Sequence, residues 1–503
     1  MPNSQLLSDK SSSSFDYQDW EKGYRSQPQE FDYWIDQIEG EIPPELQGTL
    51  FRNGPGLLDV KGQRIHHPFD GDGLICRIAF TQGKAHFRNR FVRTEGFLAE
   101  QAAGKILYRG VFGTQKPGGW LANAFDFKLK HIANTNVLYW GRKLLALWEA
   151  AAPYRLDPRT LDTLGQDYFD GVLQRGTAFS AHPRIDPNCV WDQGAPHLVN
   201  FSTRPGRSTT ITIYELDQSG TIVQQHDHAV PGFAFMHDFA ITPNYCIFFQ
   251  NPMRFNPLPF ALGLRAAGEC MTFQADRPTR MLLIPRHAGA GASMRILETK
   301  AGFVFHHANA FEQGHQVVVD SICYASFPAL EPQADYRQTD FTALPEGQLW
   351  RFTLDPTRGT VQQELLESRC CEFPTIHPDR VGRPYRYVFT GAAHQPQGNA
   401  PLQAILKLDL ETGVRQVWSM APRGFAGEPL FVPRPHSTAE DDGWVFSLMY
   451  NAAHNRSELV ILDGRDLELG PIARLRLKHH IPYGLHGSFT PQYFGPDVNV
   501  TEN

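Results

Sequence analysis

The sequence predicts an all-β protein built as a seven-bladed β-propeller. Helical periodicity is scarce, and short β-rich runs bounded by Gly, Pro, Asp and Asn recur along the chain. These runs include LYWGRKLLALWE, TITIYELDQSGTIVQQH, HQVVVDSICY, QLWRFTLDPTRGTVQQELL and AILKLDLETGVRQVW. The chain is therefore expected to consist mainly of antiparallel hairpins.

A Leu-Asp step, followed by a turn with Gly or Pro, repeats within these hairpins. The steps are Leu156-Asp157, Leu216-Asp217, Leu354-Asp355, Leu408-Asp409 and Leu462-Asp463. Their gaps of 60, 138, 54 and 54 residues fit one repeat of about 54 to 60, with an enlarged unit in the long gap. A hairpin repeated at this period is typical of propeller blades and predicts roughly seven of them. The alternative is a large β-sandwich with coincidental turns.

The domain organisation follows from the closure of a propeller. Blades of a closed ring cannot be separated into independent domains, so one domain is expected over residues 31–503. Residues 1–30 begin MPNSQLLSDKSSSSFDYQDW, with acidic residues and a serine run. This segment lacks the basic and apolar regions of a signal peptide and is expected to be a disordered leader.

Composition excludes several classes of protein. A chain of 503 residues that is 41% hydrophobic and 20% charged can bury a large core. Its mild net charge of -6 and the lack of a Lys/Arg-rich run argue against nucleic acid as a partner. Seven scattered cysteines without a CxxC motif argue against disulfides and zinc-thiolate sites. No apolar run is long enough to span a membrane, so a cytoplasmic protein, peripheral to a membrane and without an obligate protein partner, is expected.

Four of the twenty histidines lie in apolar, strand-like surroundings. They are His182 in FSAHPRIDP, His237 in FAFMHDFAIT, His306 in FVFHHANAF and His486 in IPYGLHGSF. Their separations of 55, 69 and 180 residues correspond to about one, one and three repeats. Since the inner strands of a propeller converge on its axis, each blade can supply one ligand to a common metal. Four imidazoles favour Fe(II), Zn, Cu or Ni, and imidazole alone does not choose among them.

Three glutamates occur in equally apolar surroundings, where an unpaired carboxylate would be costly to bury. They are Glu149 in LLALWEA, Glu372 in RCCEFP and Glu428 in FAGEPLFVP. Metal-binding histidines commonly donate their second ring N–H to a carboxylate. A pairing of these glutamates with the histidines would satisfy both groups. The alternative is that each glutamate reaches solvent at a strand edge.

A set of motifs makes the chain resemble the carotenoid cleavage oxygenases. The set is GEIPPELQGTLFRNGPG, HPFDGDGL, ANTN, LLALWE, AHPRIDP, FMHDFAIT, FHHANAF, CCEFP, GFAGEPLFVPR and HIPYGLHGSF, and it runs from about Phe31 to His486. Members of this family are non-haem iron enzymes on a seven-bladed propeller with a dome of helices and loops over the active-site face. The resemblance implies that dioxygen is the co-substrate and that the central 15,15' double bond of an apocarotenoid is cleaved to retinal and a second carbonyl product.

The resemblance also implies roles for individual residues. One Fe(II) per chain would be bound by His182, His237, His306 and His486. Three carboxylates would orient ligands: Glu149 on His237, Glu372 on His306 and Glu428 on His486. The first histidine of the FHH sequence is the implied ligand, which leaves His307 a structural role. Thr135 of ANTN matches a residue whose methyl group obstructs one open position on the metal.

A polyene substrate requires a long apolar tunnel, and the sequence is rich in aromatic residues that could line one. Four of them flank the proposed metal-site residues: Trp148, Phe235, Phe305 and Phe373. The resemblance adds three more, Phe69, Phe112 and Tyr324. The alternative is that these rings fill the cores of the blades.

Two apolar segments interrupt the strand pattern, VFGTQKPGGWLANAFDFKLK and NPMRFNPLPFALGLR. Both mix Phe and Leu with Lys or Arg, which is typical of surfaces that dip into a membrane interface. In similar enzymes, an apolar patch at the tunnel mouth takes substrate from the bilayer. We therefore expect transient membrane contact through Phe125, Phe127, Phe255, Leu258 and Phe260.

Other functions remain open at this stage. A non-catalytic carotenoid or retinoid carrier would need the apolar pocket but not seven ionisable groups. A propeller hydrolase or lactonase with zinc or calcium would be expected to place carboxylates directly on the metal. An isomerase or a stilbene-cleaving oxygenase on the same scaffold would differ in the shape and polarity of the tunnel.

Overall fold

The computed structural model describes residues 15–287, 293–332 and 334–497. Its α-helices are α1 (Tyr17–Lys22), α2 (Glu95–Ala103), α3 (Gly119–Asn123) and α4 (Pro257–Ala261). The strands of the first half are β1 (Asp32–Trp34), β2 (Ile38–Gly40), β3 (Gly48–Arg52), β4 (Pro55–Leu57), β5 (Asp59–Val60), β6 (Gln63–Arg64), β7 (Asp72–Thr81), β8 (Lys84–Phe91), β9 (Asn136–Trp140), β10 (Lys143–Leu147), β11 (Tyr154–Leu156), β12 (Thr163–Gln166), β13 (Arg184–Asp186), β14 (His197–Arg204), β15 (Ser208–Leu216), β16 (Ile222–Pro231), β17 (Ala240–Ile241) and β18 (Tyr245–Gln250).

The strands of the second half are β19 (Met253–Phe255), β20 (Met271–Phe273), β21 (Thr279–Pro285), β22 (Arg295–Thr299), β23 (Phe303–Gln313), β24 (Gln316–Tyr324), β25 (Gln348–Asp355), β26 (Thr360–Glu367), β27 (Cys371–Thr375), β28 (Tyr387–Ala393), β29 (Leu402–Asp409), β30 (Arg415–Ser419), β31 (Gly424–Phe425), β32 (Pro429–Pro433), β33 (Gly443–Asn451), β34 (Arg456–Asp463), β35 (Pro471–Arg476) and β36 (Gly487–Thr490).

Within the described ranges, 32 of these strands form seven antiparallel sheets, which are the blades of the propeller, and β5 with β6 and β19 with β20 form two further two-stranded sheets. Blade A contains β9–β12, blade B β13–β16, blade C β17, β18, β21 and β22, blade D β23–β26, and blade E β27–β30. Blade F contains β31–β35 with β2, and blade G contains β1, β3, β4, β7, β8 and β36. Within the described ranges, the predicted seven-bladed propeller is confirmed.

Strands from the two ends of the chain close the ring. In blade G, β36 pairs with β3, so that Thr490 lies opposite Thr49. In blade F, β2 pairs with β35, with Ile38 opposite Leu475. Because the last two blades each need strands from both ends, we infer that the described residues from 31 to 497 fold as one unit.

The structure explains the Leu-Asp repeat. Each step ends the last but one strand of a blade, in blades A, B, D, E and F. In blade E, for example, Leu408 is buried, and the Asp409 carboxylate accepts hydrogen bonds from the backbone N–H of Glu411 at 3.0 Å and of Thr412 at 3.3 Å. Such a local bond stabilises the turn that follows. The gap of 138 residues contains blade C, in which β19, α4 and β20 are inserted.

The apolar core lies mainly between neighbouring blades. One cluster joins Ile78 and Phe80 of blade G to Leu459 and Ile461 of blade F, and all four side chains are buried. Since successive side chains of a strand point to opposite faces, each blade can pack against both neighbours. This packing holds the beginnings of the first strands at fixed positions around the axis.

The expected disorder of residues 1–30 does not hold for residues 15–30, and residues 1–14 lie outside the described ranges. Phe15 is buried, and α1 stacks Trp20 on Tyr483 with 4.5 Å between ring centroids. Burial of these aromatic rings offsets the entropy lost by ordering a polar segment. The seven cysteines are all free, as expected. None of the helices in the described ranges is long and apolar enough to cross a bilayer.

Candidate metal centre

The four histidines lie at the axial ends of four blades. His182 precedes β13 of blade B, His237 precedes β17 of blade C, and His486 precedes β36 of blade G, whereas His306 lies within β23 of blade D. Their separations in sequence therefore span one, one and three blades. The fold positions each imidazole independently, because each stands on a different sheet.

The imidazoles converge on one point. The ligand atoms of all four rings lie within 4.8 Å of one another. His182 Nε2 is 3.0 Å from His237 Nε2, which is 3.3 Å from His306 Nε2. The ring of His486 has its centroid 4.5 Å from that of His182 and 4.9 Å from that of His306. This is a donor set that could hold one metal ion.

Each of the three glutamates contacts the histidine with which the resemblance pairs it. The distances between Nδ1 and the carboxylate oxygen are 2.6 Å for His237 and Glu149, 2.6 Å for His306 and Glu372, and 2.7 Å for His486 and Glu428. A carboxylate can only accept, so each Nδ1 donates its proton and each Nε2 keeps a free lone pair. These lone pairs face the common centre.

His182 has no carboxylate partner, and its environment keeps it neutral. Burial and the neighbouring imidazoles hold the pKa of His182 well below its ordinary value. Burial works against the charged form of Glu372, but the adjacent His306 and its hydrogen bond lower the pKa of that carboxyl overall. The site therefore combines imidazole nitrogen donors with a carboxylate that favours its ionised form, which suits a divalent cation.

The second histidine of the FHH sequence does not join the cluster. His307 Nδ1 is 2.7 Å from Ser321 Oγ, and its backbone N–H donates to Asp238 Oδ2 at 2.8 Å. Neighbouring side chains of a strand point to opposite faces, and only His306 faces the axis. Burial lowers the pKa of His307 to about 4, so it is a neutral core residue.

An apolar cavity of about 320 Å³ opens beside three of the histidines. Its lining includes His237, His306 and His486 together with Thr135, whose hydroxyl donates to Asn134 Oδ1 at 3.2 Å. The lining also contains all of the aromatic residues named from the sequence: Phe69, Phe112, Trp148, Phe235, Phe305, Tyr324 and Phe373. Aromatic walls beside a polar centre can hold an extended apolar molecule with one bond near the metal.

Comparison with known proteins identifies the family. A family model described as RPE65, retinal pigment epithelial membrane protein, matches residues 24–491. The chain belongs to this family, that of RPE65 and the carotenoid cleavage oxygenases. It is 55% identical to the apocarotenoid-15,15'-oxygenase of Synechocystis sp. over 97% of this chain and 99% of that protein.

Other members of the family are more distant. Lignostilbene-alpha,beta-dioxygenase isozyme III of Sphingomonas paucimobilis is 31% identical over 90% of this chain and 93% of its own.

The crystal structure of a cobalt-substituted Synechocystis ACO superposes with a TM-score of 0.93 at 55% identity, covering 95% of this chain and 99% of that one. The architecture of this chain is therefore that of the family throughout.

Two residues hold the carboxylates in place, a role that the sequence did not indicate for either of them. The Arg52 guanidinium forms an ion pair with Glu428 and donates to the carbonyl of Leu485 at 2.8 Å. Tyr324, expected only as a tunnel residue, donates its hydroxyl proton to Glu372 Oε1 at 2.9 Å. Both contacts join segments that are far apart in the chain, so sequence spacing could not reveal them.

The cavity also has walls that the sequence analysis missed. Trp20 and Tyr24 reach it from the segment expected to be disordered, and Tyr336, Phe341 and Leu344 reach it from the loop between β24 and β25. Four of these five residues are aromatic, and this was the feature of the sequence that could have identified them as cavity-lining residues. They form part of the dome that separates the metal centre from solvent.

Replacement of Glu372 tests the role of the carboxylates. In Glu372→Gln, the amide has one acceptor oxygen and no negative charge. It can therefore no longer accept from His306 and Tyr324 on two separate oxygens. We expect metal affinity or turnover to fall by about 10- to 100-fold, with little change in the midpoint of thermal unfolding. Metal content per chain and turnover should be measured beside Glu364→Gln, an exposed control on β26. Wild-type metal content and turnover in Glu372→Gln would contradict this role.

Proposed function

We propose that the protein is a non-haem Fe(II) oxygenase that cleaves the 15,15' double bond of apocarotenoids with dioxygen, giving retinal and a second carbonyl product. The observation that carries the proposal is the convergence of four imidazole Nε2 atoms beside an apolar, aromatic-walled cavity. The name of the relative that is 55% identical supports the substrate class and the bond. The proposed enzyme class is a carotenoid cleavage dioxygenase.

The residues at the centre fit an iron ion. His237 and His306 both donate from Nδ1, so their Nε2 lone pairs, 3.3 Å apart, repel one another unless a cation lies between them. His182, His237, His306 and His486 would hold one Fe(II), and Glu149, Glu372 and Glu428 would orient three of these ligands and balance its charge. When bound, iron supplies the redox chemistry with dioxygen, which no side chain can provide.

The chain's own residues would select the bond and exclude water. Phe305 and Phe373 flank His306, with ring centroids 6.2 and 5.5 Å from it, and they line the cavity together with Trp148. Rigid rings hold a polyene at little cost in conformational entropy. We assign to Thr135 the role of restricting access to one side of the metal.

The competing functions are less well supported. A carrier would gain nothing from three buried carboxylates, each of which costs desolvation energy. Among the described residues, the carboxylates at this site contact the Nδ1 atoms of the histidines and not the common centre. A zinc or calcium hydrolase would be expected to place carboxylates on the metal itself. The stilbene-cleaving relative is 31% identical, against 55% for the apocarotenoid enzyme.

We also propose that the protein contacts membranes transiently through the segments around α3 and α4. Phe125, Phe127 and Leu258 are 71%, 59% and 61% exposed. Phe255 and Phe260 are only half-buried, and Phe260 packs beneath the Arg109 guanidinium. Several exposed apolar side chains close together commonly mark a surface that contacts a membrane or a protein partner.

A second cavity extends from the site toward α4. It has a volume of about 250 Å³, shares Phe69, Phe112 and Phe305 with the central cavity, and reaches Arg265 and Gly268 just beyond α4. An apolar substrate could pass from a bilayer to the metal along this route. This path supports membrane uptake of the polyene.

Product analysis tests the proposed reaction. The purified protein, loaded with Fe(II), is incubated in air with a long apocarotenal, and products are separated by chromatography. We expect retinal and a shorter dialdehyde in equal amounts. Intact substrate with iron bound would overturn the proposal in favour of a carrier, and a geometrically changed polyene would favour an isomerase.

Variants of the FHH pair test the ligand assignment. His306→Ala should lose bound iron and turnover, because it removes one of four donors. His307→Ala should retain much of both, since His307 faces Ser321 and not the centre. Iron per chain is measured by elemental analysis. Equal iron contents in the two variants would argue against His306 as a specific ligand.

Liposome flotation tests the membrane contact. The triple variant with Phe125, Phe127 and Leu258 changed to Ser should bind vesicles at least about tenfold more weakly, because three exposed apolar groups no longer enter the interface. The matched control changes Leu164, Val414 and Leu469, which are exposed on blades A, E and F. Equal binding of both variants would exclude this surface as the contact.

A further inference from the structure

A second cluster of metal-ligating side chains lies on blade B, apart from the four histidines. Cys189 lies in the loop between β13 and β14, His197 is the first residue of β14, and Glu215 lies near the end of β15. Their ligand atoms are all within 4.8 Å of one another, and the three side chains are at most 1% exposed. None of the three lines the cavity beside the four histidines.

The hydrogen bonds of His197 determine which of its nitrogens is free. His197 Nε2 lies 2.7 Å from Asp192 Oδ2, and a carboxylate can only accept, so Nε2 carries the proton. Nδ1 then keeps a bare lone pair, and this buried atom has no hydrogen-bond partner among the described residues. It is 3.8 Å from Glu215 Oε2, too far for a hydrogen bond.

This arrangement is electrostatically incomplete. A bare nitrogen lone pair that faces a carboxylate in a dry interior is repelled by it, and a buried polar atom without a partner is costly. A cation between Nδ1 and Oε2 would remove both costs. The imidazole is already oriented for one, since metal-binding histidines commonly donate their other N–H to a carboxylate, as His237 does to Glu149.

Hydrogen bonds from Arg286 hold the Glu215 carboxylate in place. Arg286 donates to Glu215 Oε1 at 2.9 Å and to Oε2 at 3.1 Å, and it also donates to Asp186 at 2.7 Å. Burial disfavours the charged form of Arg286, but the hydrogen bonds and charges of Glu215 and Asp186 outweigh burial, so the pKa of Arg286 is raised overall. Each carboxylate oxygen has two lone pairs, so Oε2 can still accept a metal.

We propose that Cys189 Sγ, His197 Nδ1 and Glu215 Oε2 form a Zn²⁺ site with three protein ligands. Zinc accepts sulfur, nitrogen and oxygen donors in tetrahedral geometry, in which nitrogen and oxygen ligands are about 3.4 Å apart. The separation of 3.8 Å between Nδ1 and Oε2 is close to this value. The mixed donor set with a thiolate distinguishes this site from the four-imidazole centre.

The zinc site ties the loop between β13 and β14 to two strands of blade B. Burial raises the pKa of the Cys189 thiol, so its proton is released when the metal binds. The absence of a CxxC motif hid this site from the sequence analysis, because its three ligands lie 8 and 18 residues apart along the chain.

Metal analysis of the full-length protein tests the proposal. We expect wild type to hold about one zinc per chain in addition to iron after exposure to Zn²⁺. Cys189→Ser and His197→Gln should bind zinc at least about tenfold more weakly while iron content is unchanged. Cys246→Ser is the matched control, because Cys246 is equally buried but lies on β18, outside the trio.

Cobalt provides a readout specific to the thiol. After loading with Co²⁺, wild type and Cys246→Ser should show a thiolate-to-cobalt charge-transfer band that Cys189→Ser lacks, because the four histidines offer no sulfur. Should Cys189→Ser fail to fold, wild type alone decides, by zinc titration and by the presence of this band. Wild type that takes up no zinc and shows no band would overturn the proposal.

Discussion

The mutual repulsion of four converging imidazoles is the constraint on which the rest of the site depends. Their ligand atoms lie within 4.8 Å of one another, an arrangement that needs rigid support and that a bound cation would stabilise. The propeller provides the rigidity. Each histidine stands just before or within a strand of a different blade, and the blades are held together by buried side chains between them. Closure of the ring by β3 with β36 then fixes His486 relative to the other three.

The carboxylates form a second layer that makes these histidines useful as ligands. Glu149, Glu372 and Glu428 each accept a hydrogen bond from one Nδ1–H, which directs the free lone pair of Nε2 inward. Two of these acids are themselves held, Glu372 by Tyr324 and Glu428 by Arg52. Orientation therefore passes from the blades through buried charges to the metal centre. The same arrangement recurs at His197 on blade B. One ring nitrogen, Nε2, donates to the Asp192 carboxylate, and the other, Nδ1, has no hydrogen-bond partner among the described residues.

The cavity connects the polar centre with an apolar exterior. Aromatic side chains from the propeller and from the dome surround the space beside His306, and a second cavity extends this surface toward α4. The dome includes α1, a segment whose polar composition suggested disorder. Trp20 of α1 and Tyr24 just after it line the cavity, and Trp20 stacks on Tyr483, contacts that only the tertiary structure makes visible.

The sequence by itself determined the repeat, the number of blades and the candidate residues, because turn chemistry and strand periodicity are local properties that recur with the Leu-Asp step. The motifs also pointed to His182, His237, His306 and His486 and to the three glutamates, since residues in unusual apolar settings stand out individually. Only the tertiary structure decided which atoms meet. The support of Glu428 by Arg52 joins positions 376 residues apart, and the alignment of His197 with Glu215 depends on the register of two paired strands. Contacts of this kind arise from closure of the ring and from strand pairing, which no local pattern encodes.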